Sequence, residues 1–191
     1  MPRPKTRTDQ DVLEMALKLI HQAGPEALTF ASLAEACGLS TATLVQRFKS
    51  KAGLKQSTLL HAWNRLDEKT ATLAATAPKT AKGAVELLVA LSHDYGGIEA
   101  YAEGLLVLRE DLRDPVLRAR GASWKAALSQ ALDACFSDIP QAPKEIGLLI
   151  ASQWQGSLLW WSFSPDDDVE RYVEAHLERF IVAILPSAAQ V

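Results

Sequence analysis

The hydrophobic pattern along the chain is helical from beginning to end. Between Val12 and Ile20, apolar residues recur at intervals of three and four, the spacing of one face of an α-helix, and Gly24-Pro25 ends the pattern. The sequence contains no Asn-Gly or Asp-Gly hairpin turn and no sustained alternation of apolar and polar residues. We therefore predict an all-α protein.

Turn and capping residues divide the later pattern into further helices. Thr29 and Ser40 are suitable N-caps, Pro143 is suited to a first helical turn, and Asp166–Asp168 is suited to a helix N-terminus. The predicted helices cover about Val12–Ile20, Phe30–Cys37, Thr41–Phe48, Lys51 into the seventies, Thr80–Tyr95, Ile98–Leu112, Val116–Phe136, Pro143–Phe163 and Asp167–Leu185.

The segment from Thr29 to Lys51 predicts two short helices joined by a tight turn. Gly38 permits the positive φ that such a turn requires. This arrangement is typical of a helix-turn-helix, whose second helix enters the major groove of DNA. A plain helical hairpin is the alternative. The residues expected to face inward and hold the two helices together are Leu33, Cys37, Leu39, Leu44 and Phe48.

The net charge of −3 over 191 residues argues at first against a nucleic-acid partner. Its distribution changes that picture. Residues 1–66 hold nine Lys or Arg and five Asp or Glu, a net of +4, whereas residues 67–191 carry −7. Such a division suggests two parts with different partners. Basic residues before and after the predicted second helix could neutralise phosphates, namely Arg3, Lys5, Arg7, Lys49, Lys51 and Lys55.

The helix-turn-helix segment resembles the DNA-binding domain of the TetR (tetracycline-repressor) family of bacterial regulators over about residues 8–55. The resemblance implies a helix-turn-helix DNA-binding domain at 1–53 and a helical effector-binding and dimerisation domain at 54–191. The residues that carry it are Gly24, Thr29, Leu33-Ala34, Cys37-Gly38-Leu39-Ser40, Thr43-Leu44, Phe48 and Lys49-Ser50-Lys51.

The same resemblance implies which residues contact DNA. Val45 stands where the family usually has a phosphate-binding Tyr, so the neighbouring Gln46 and Arg47 are expected to supply contacts instead. Lys51 opens a helix, where its ammonium and unpaired N–H groups could hold one phosphate. The full implied set is Thr29, Ser40, Thr41, Ala42, Thr43, Gln46, Arg47, Lys49 and Lys51.

The acidic C-terminal part is rich in aromatic residues, including Tyr95, Phe136 and Phe163. An ordinary helical core explains most of them, while an apolar ligand pocket between helices is the functional interpretation. The resemblance supports a pocket for a small apolar or aromatic effector. Its candidate residues are Trp63, His93, Tyr101, Arg109, Trp124, Gln153, Trp154 and Trp160.

The last two predicted helices carry apolar residues on more than one face, so they should be buried on several sides. In the TetR family two such helices from each subunit form a dimer interface, and two DNA half-sites require two recognition helices. The candidate interface residues are Leu148, Ser152, Gln155, Gly156, Leu159, Tyr172, Leu177, Phe180 and Ile184.

These observations predict a ligand-responsive transcriptional regulator, a homodimer that represses by binding operator DNA until an effector releases it. An enzyme is disfavoured because no phosphate loop, zinc-protease pattern or nucleophile elbow occurs. A helical interaction protein that has lost DNA binding is the closer alternative, because of Val45. No cofactor or metal is expected. The two cysteines predict a reduced compartment, and without a signal peptide or long apolar span the expected location is cytoplasmic.

Overall fold

The computed structural model describes residues 7–93 and 96–185, so Arg3, Lys5, Tyr95 and the tail 187–191 lie outside the described residues. Within those ranges the chain is helical and has no strand, which confirms the all-α prediction. A short 3-10 helix, Pro25–Ala27, follows the first helix. The α-helices are α1 (Asp9–Ala23), α2 (Phe30–Cys37), α3 (Thr41–Phe48), α4 (Lys51–Thr76), α5 (Ala81–Ser92), α6 (Ile98–Arg113), α7 (Pro115–Cys135), α8 (Ile146–Trp161) and α9 (Val169–Ile184).

The predicted N-caps are confirmed. The Thr29 hydroxyl accepts a hydrogen bond from the backbone N–H of Ser32 at 3.0 Å, which starts α2. The Ser40 hydroxyl accepts one from Thr43 N–H at 3.1 Å and starts α3. Asp168 accepts from two backbone N–H groups at the start of α9. Each cap satisfies donors that the first helical turn leaves without a partner.

The prediction that the next-to-last helix begins at Pro143 is wrong. Helix α8 begins at Ile146, and its N-cap Glu145 has a left-handed backbone with φ of 57°. The N–H of Gly147 donates to Asp133 on α7 at 2.7 Å, and a Cβ on Gly147 would lie 2.0 Å from the Ser129 carbonyl oxygen. This close approach to α7 fixes where α8 begins, and local sequence preference does not reveal it.

The chain forms two compact units. The first, called here the head, comprises residues 1–66 and 102–121; the second, called the body, comprises residues 67–101 and 122–191. The head therefore includes a segment distant in sequence from its first 66 residues. The division at residue 53 into a DNA-binding and an effector-binding part concerns function, and it stays a prediction.

The head has its own hydrophobic core. Helices α1, α2, α3 and the first turns of α4 contribute most of it, and one residue comes from α7. Trp63 and Val107 pack against this core from α4 and α6. The buried residues of the cluster are Val12, Ala16, Ile20, Leu28, Leu33, Cys37, Leu44, Phe48, Leu54, Leu59 and Leu117.

The body core is built by α5, α8, α9 and the C-terminal half of α7. Three indole N–H groups in the body find neutral oxygen acceptors. Trp154 donates to the Ser92 hydroxyl at 2.8 Å, Trp124 to the Thr70 hydroxyl at 3.0 Å, and Trp161 to the Asp167 carbonyl at 2.8 Å. These bonds allow large indole rings to be buried without leaving a donor unpaired.

None of the helices in the described ranges has both the length and the apolar character that crossing a lipid bilayer requires.

Candidate DNA interface and ligand-binding residues

The turn between α2 and α3 has the geometry that the sequence predicts. Gly38 adopts a left-handed conformation with φ of 64°, and its N–H reaches the carbonyls of the last turn of α2. Such a C-cap satisfies carbonyls that the helix end leaves without partners. Thr29 and Ser40 serve as N-caps on either side of this turn, so the hydroxyls predicted to contact DNA are first used to begin the two helices.

Helix α3 has one buried and one exposed face. Leu44 and Phe48 lie in the head core, whereas Thr41, Ala42 and Gln46 are exposed. Val45 lies on the same exposed face, with 43% of its surface accessible. Thr43 is half-buried, and its hydroxyl lies 2.8 Å from the Ser40 hydroxyl. The exposed face is therefore short, mostly small or polar, and suited to approach base edges.

Arg47 is bound by the protein itself. Its Nη1 donates to the Arg7 carbonyl and to Asp9 Oδ1, both at 3.0 Å, and the side chain is 22% exposed. Arg7 in turn donates from Nε to the Cys37 carbonyl at 2.6 Å. These contacts join the start of α1 to the end of α2 and to α3. Arg47 thus positions the helix-turn-helix, and its predicted contact with DNA remains a prediction.

The junction between α3 and α4 is a strained turn. Lys49 has φ of 68° and ψ of −47°, and Ser50 N–H donates to the Phe48 carbonyl at 2.8 Å. This is a γ-turn with positive φ, a rare and strained conformation for a residue with a side chain. A Cβ on Gly53 would lie 2.5 Å from the Phe48 carbonyl oxygen, so glycine is needed there. The turn fixes how α4 leaves α3.

The lysines after α3 are engaged with the 3-10 helix and with α6. Lys51 Nζ lies 3.3 Å from Glu26 Oε2, and Lys55 Nζ lies 3.7 Å from Glu26 Oε1. The hydrogen bond from Lys51, followed by the charges of Lys55 and Lys51, lowers the pKa of Glu26. Lys55 makes a shorter contact of 2.6 Å with Glu110 Oε2 on α6.

An acidic residue that the sequence did not single out lies buried between α4 and α6. Asp111 is 7% exposed and accepts a hydrogen bond from the Trp63 indole N–H at 3.1 Å. Burial raises the pKa of Asp111 to about 6, the Trp63 bond opposes the rise, and the charges of Asp114 and Glu110 add to it. Its only sequence signal is its position four residues after Val107, on the buried face of α6.

Close to Asp111, a cleft of about 260 Å³ opens in the head between the start of α4 and the α6–α7 turn. Four of its polar lining residues pair with one another. Lys55 bonds Glu110 as described, and Gln56 Nε2 donates to Asp114 Oδ2 at 2.8 Å. Asp114 also accepts from Val116 N–H at 2.8 Å at the start of α7. Most polar groups that line the cleft therefore already have hydrogen-bond partners within the protein.

The predicted pocket residues occupy several places. In the body, the rings of Trp124 and Trp154 lie 6.4 Å apart, and Tyr101 packs edge-on against Trp161 at 6.1 Å. Gln153 lies 3.4 Å from the Ser157 hydroxyl on its own helix. The structure thus brings Trp124 and Trp154 together in the body core.

Two candidates of the body are exposed, and two further candidates lie in the head. His93 is exposed and contacts Glu170 at 2.6 Å, and Trp160 is 68% exposed. In the head, Arg109 is exposed near Glu110, and Trp63 bonds Asp111. Two of the eight candidates thus belong to the head and six to the body, and their common role in one pocket stays a prediction.

Helix α8 has an uncovered face made of apolar and small residues. Among the predicted interface residues, Ser152, Gln155 and Leu159 are exposed, Leu148 is half-buried, and a Cβ on Gly156 would meet nothing within 4 Å. Three large apolar residues not in the predicted set extend this surface: Leu149, Trp160 and Phe163.

Helix α9 contributes less of this surface than the sequence predicts. Tyr172, Phe180 and Ile184 are half-buried. Leu177 is fully buried in the body core, so it does not reach the uncovered surface. The large apolar residue that α9 exposes is Val182.

Residues 12–57 match the family model of bacterial regulatory proteins of the tetR family. Comparison with curated protein sequences gives no match. Among solved structures, a transcriptional regulator from Rhodococcus sp. Rha1 is similar at a TM-score of 0.76 and 18% identity, covering 96% of this chain and 100% of the other. A putative regulator from Saccharomonospora viridis in complex with choline gives 0.68 and 20%, covering 89% and 93%. AibR in complex with isovaleryl coenzyme A and operator DNA gives 0.64 and 18%, covering 89% and 96%.

The α2–turn–α3 unit is a helix-turn-helix of the DNA-binding type. This unit lies within the part of the chain that matches the model of the tetR family of bacterial regulatory proteins.

Proposed function

We propose that this regulator is a repressor that binds operator DNA as a homodimer and leaves it when a small effector binds. The observation that carries the proposal is the exposed face of α3, with Thr41, Ala42 and Gln46 directed away from the head core and Lys51 following at the start of α4. A recognition helix with base-reading side chains and an adjacent phosphate-binding cation matches what a helix-turn-helix needs.

In this proposal each α3 residue has a defined task. Gln46 reads an adenine edge, and the Thr41, Ala42 and Val45 side chains contact thymine methyl groups. Lys49 and Lys51 bind phosphates, and so do the hydroxyl groups of Thr29, Ser40 and Thr43. Arg47 contributes by holding α3 to the start of α1, and its remaining guanidinium donors face DNA.

The homodimer rests on the uncovered face of α8. Leu149 and Leu159 are exposed apolar residues on α8, the exposed Phe163 follows its last turn, and the small Ser152 and Gly156 allow a partner helix to approach closely. Leu159→Glu should give a monomer in sedimentation at micromolar concentration. Leu108→Glu, a change at an equally exposed leucine of α6, should leave the dimer intact.

The effector is proposed to bind in the body, where Trp124 and Trp154 form an aromatic pair. AibR, a protein of this fold, was solved in complex with isovaleryl coenzyme A and operator DNA, which supports the combination of ligand binding and DNA binding proposed here. Release requires that the effector bind the DNA-free arrangement more tightly than the DNA-bound one. Helix α4 is the proposed lever, because it is one continuous helix with residues in both units.

Fluorescence anisotropy with DNA from upstream of the protein's own gene tests the proposal. Gln46→Ala should weaken specific binding by about 5- to 100-fold, the range for one bidentate base contact. Gln141→Ala, the same change at an exposed residue between α7 and α8, is the matched control and should bind like wild type. A wild-type protein with no affinity at low salt would contradict repression.

Val45 favours one alternative, a helical interaction protein whose DNA binding is lost. In that case the wild-type chain would form a dimer through α8 but would show no affinity for DNA at low salt. The two measurements above separate the alternatives.

A further inference from the structure

Glu26 lies between two lysines at the N-terminus of α4. Its Oε2 is 3.3 Å from Lys51 Nζ and its Oε1 is 3.7 Å from Lys55 Nζ. The Glu26 side chain is 77% exposed, and that of Lys51 is 49% exposed. This carboxylate therefore sits on the solvent side of the lysine that opens α4, close to where a DNA phosphate would have to approach that lysine.

A second acidic residue, Glu110, determines which lysine Glu26 pairs with. Lys55 has its short contact, 2.6 Å, with Glu110, and both of these side chains are mostly buried. Because Lys55 is held by Glu110, the closer partner left for Glu26 is Lys51. The four side chains form a row of alternating charge, Glu110, Lys55, Glu26 and Lys51, that ends at the surface of the head.

We propose that Glu26 is an intramolecular competitor of DNA phosphate for the Lys51 ammonium and thereby sets the affinity of the head for DNA of any sequence. The inference rests on the proposed DNA-binding function. A carboxylate and a phosphate oxygen accept the same N–H donors, and their like charges repel each other when both approach one ammonium group. We therefore expect DNA binding at Lys51 to weaken or break its contact with Glu26.

The competition has two measurable consequences. Removing the Glu26 charge frees Lys51 before DNA arrives, and since an exposed ion pair is weak, affinity should rise by about two- to five-fold. In the wild type, the Glu26 carboxylate released by DNA takes up a cation, which cancels part of the counterion release. Without it, the slope of log Kobs against log salt should steepen by up to about 0.9.

A double-mutant cycle tests the proposal, using Glu26→Gln, Lys51→Met and the double variant with a duplex of the upstream DNA and a scrambled duplex. Glu26→Gln should raise affinity for both duplexes by the same factor. In the Lys51→Met background the same substitution should change affinity by less than about 1.5-fold and leave the salt slope unchanged. Circular dichroism melting verifies that each variant is folded.

The matched control is Glu35→Gln, the same loss of charge at an exposed position on α2 of the head. Its effect should be equal with and without Lys51, as expected for general repulsion between an acid and DNA. If Glu26→Gln also acts equally in both backgrounds, the proposed competition is wrong. Absence of wild-type binding at low salt would instead refute the DNA-binding function itself, so the two failures are distinguishable.

Discussion

The head and the body satisfy their buried polar groups by different means. In the head, packing between helices gives charged groups their partners: Lys55 pairs with Glu110, and the Asp111 carboxyl accepts a hydrogen bond from the Trp63 indole. In the body, the corresponding bonds are neutral, from the Trp154 and Trp124 indoles to the Ser92 and Thr70 hydroxyls. Buried donors have partners in both units, but only the charged groups of the head make interactions whose strength depends on pH and salt concentration.

This difference follows the charge of each unit. The head holds thirteen Lys or Arg and nine Asp or Glu, and keeps a net of +4 even though residues 102–121 add four acids. The body carries −7. A unit that must attract DNA needs a surplus of cations, and acids such as Glu26 and Glu110 hold several of them in place. The body has no such requirement, and its core is stabilised by packing.

The largest expected effect is in the body. Trp154→Ala should destabilise the protein by about 3–5 kcal/mol, because it leaves a cavity and removes the hydrogen bond from the indole to the Ser92 hydroxyl. Urea unfolding followed by circular dichroism measures it. Since no ionisable group is removed, the loss should be the same at pH 5 and pH 8. Leu112→Ala, a truncation of an apolar side chain that is 58% exposed on α6, is the control and should cost less than about 0.5 kcal/mol. A loss of stability in Trp154→Ala that depends on pH would contradict the proposed difference between the head and the body.

In the head, a substitution at Asp111 is expected to increase the stability of the protein. Its pKa of about 6 lies above the ordinary value, so the folded protein binds a proton that the unfolded chain releases between about pH 4 and 6. Stability from this group is therefore present at low pH and is lost as the pH rises through 6. Asp111→Asn keeps an acceptor for Trp63 and should stabilise the protein at pH 7 by up to about 3 kcal/mol.

The gain at Asp111 should vanish below about pH 4, where the wild-type carboxyl is protonated in both states. Asp138→Asn, at an exposed site of the body, serves as the control and should show no gain at either pH. Thermal melts from pH 4 to 8 give the profile. Equal stability of wild type and Asp111→Asn at pH 7 would show that the buried carboxylate is not costly.

The smallest effect concerns Asp114, three residues further along. Hydrogen bonds from Gln56 and from the first turn of α7 lower the pKa of Asp114, so its contribution is present at neutral pH and is lost as the pH falls below the ordinary range of Asp. Asp114→Ala should cost about 0.5–2 kcal/mol at pH 7, the usual value of a lost N-cap. The loss should shrink on acidification, opposite to the trend at Asp111, and a loss that is constant with pH would contradict the assignment.

Local chemistry made much of the fold predictable. The α2–turn–α3 unit follows from Thr29, Gly38 and Ser40, whose capping and φ preferences act within a few residues. The start of α8 was not predictable in this way, because the close approach of Gly147 to α7 determines it. The strained γ-turn at Lys49 likewise depends on the packing of Phe48 and Gly53.

The candidate site shows the same limit. The exposed positions Thr41, Ala42 and Gln46 follow from helical periodicity once Leu44 and Phe48 are placed inside. The partners of the basic residues do not follow from periodicity. Arg47 pairs with Asp9, 38 residues away in sequence, and Lys55 pairs with Glu110, 55 residues away. Such pairs depend on tertiary packing. The sequence therefore indicated that these basic residues contact DNA, but it did not reveal the carboxylates that pair with them.

The Trp63–Asp111 hydrogen bond gives the head its own spectroscopic label. Of the five tryptophans, Trp63 alone falls within the residues of the head, and the other four belong to the body. With 5-fluorotryptophan incorporated throughout, one of five fluorine resonances therefore reports on the head. Because its indole N–H bonds Asp111, that resonance should shift as the carboxyl titrates near pH 6. The protein thus carries a built-in fluorine probe of the contact between α4 and α6, readable while DNA or an effector is added.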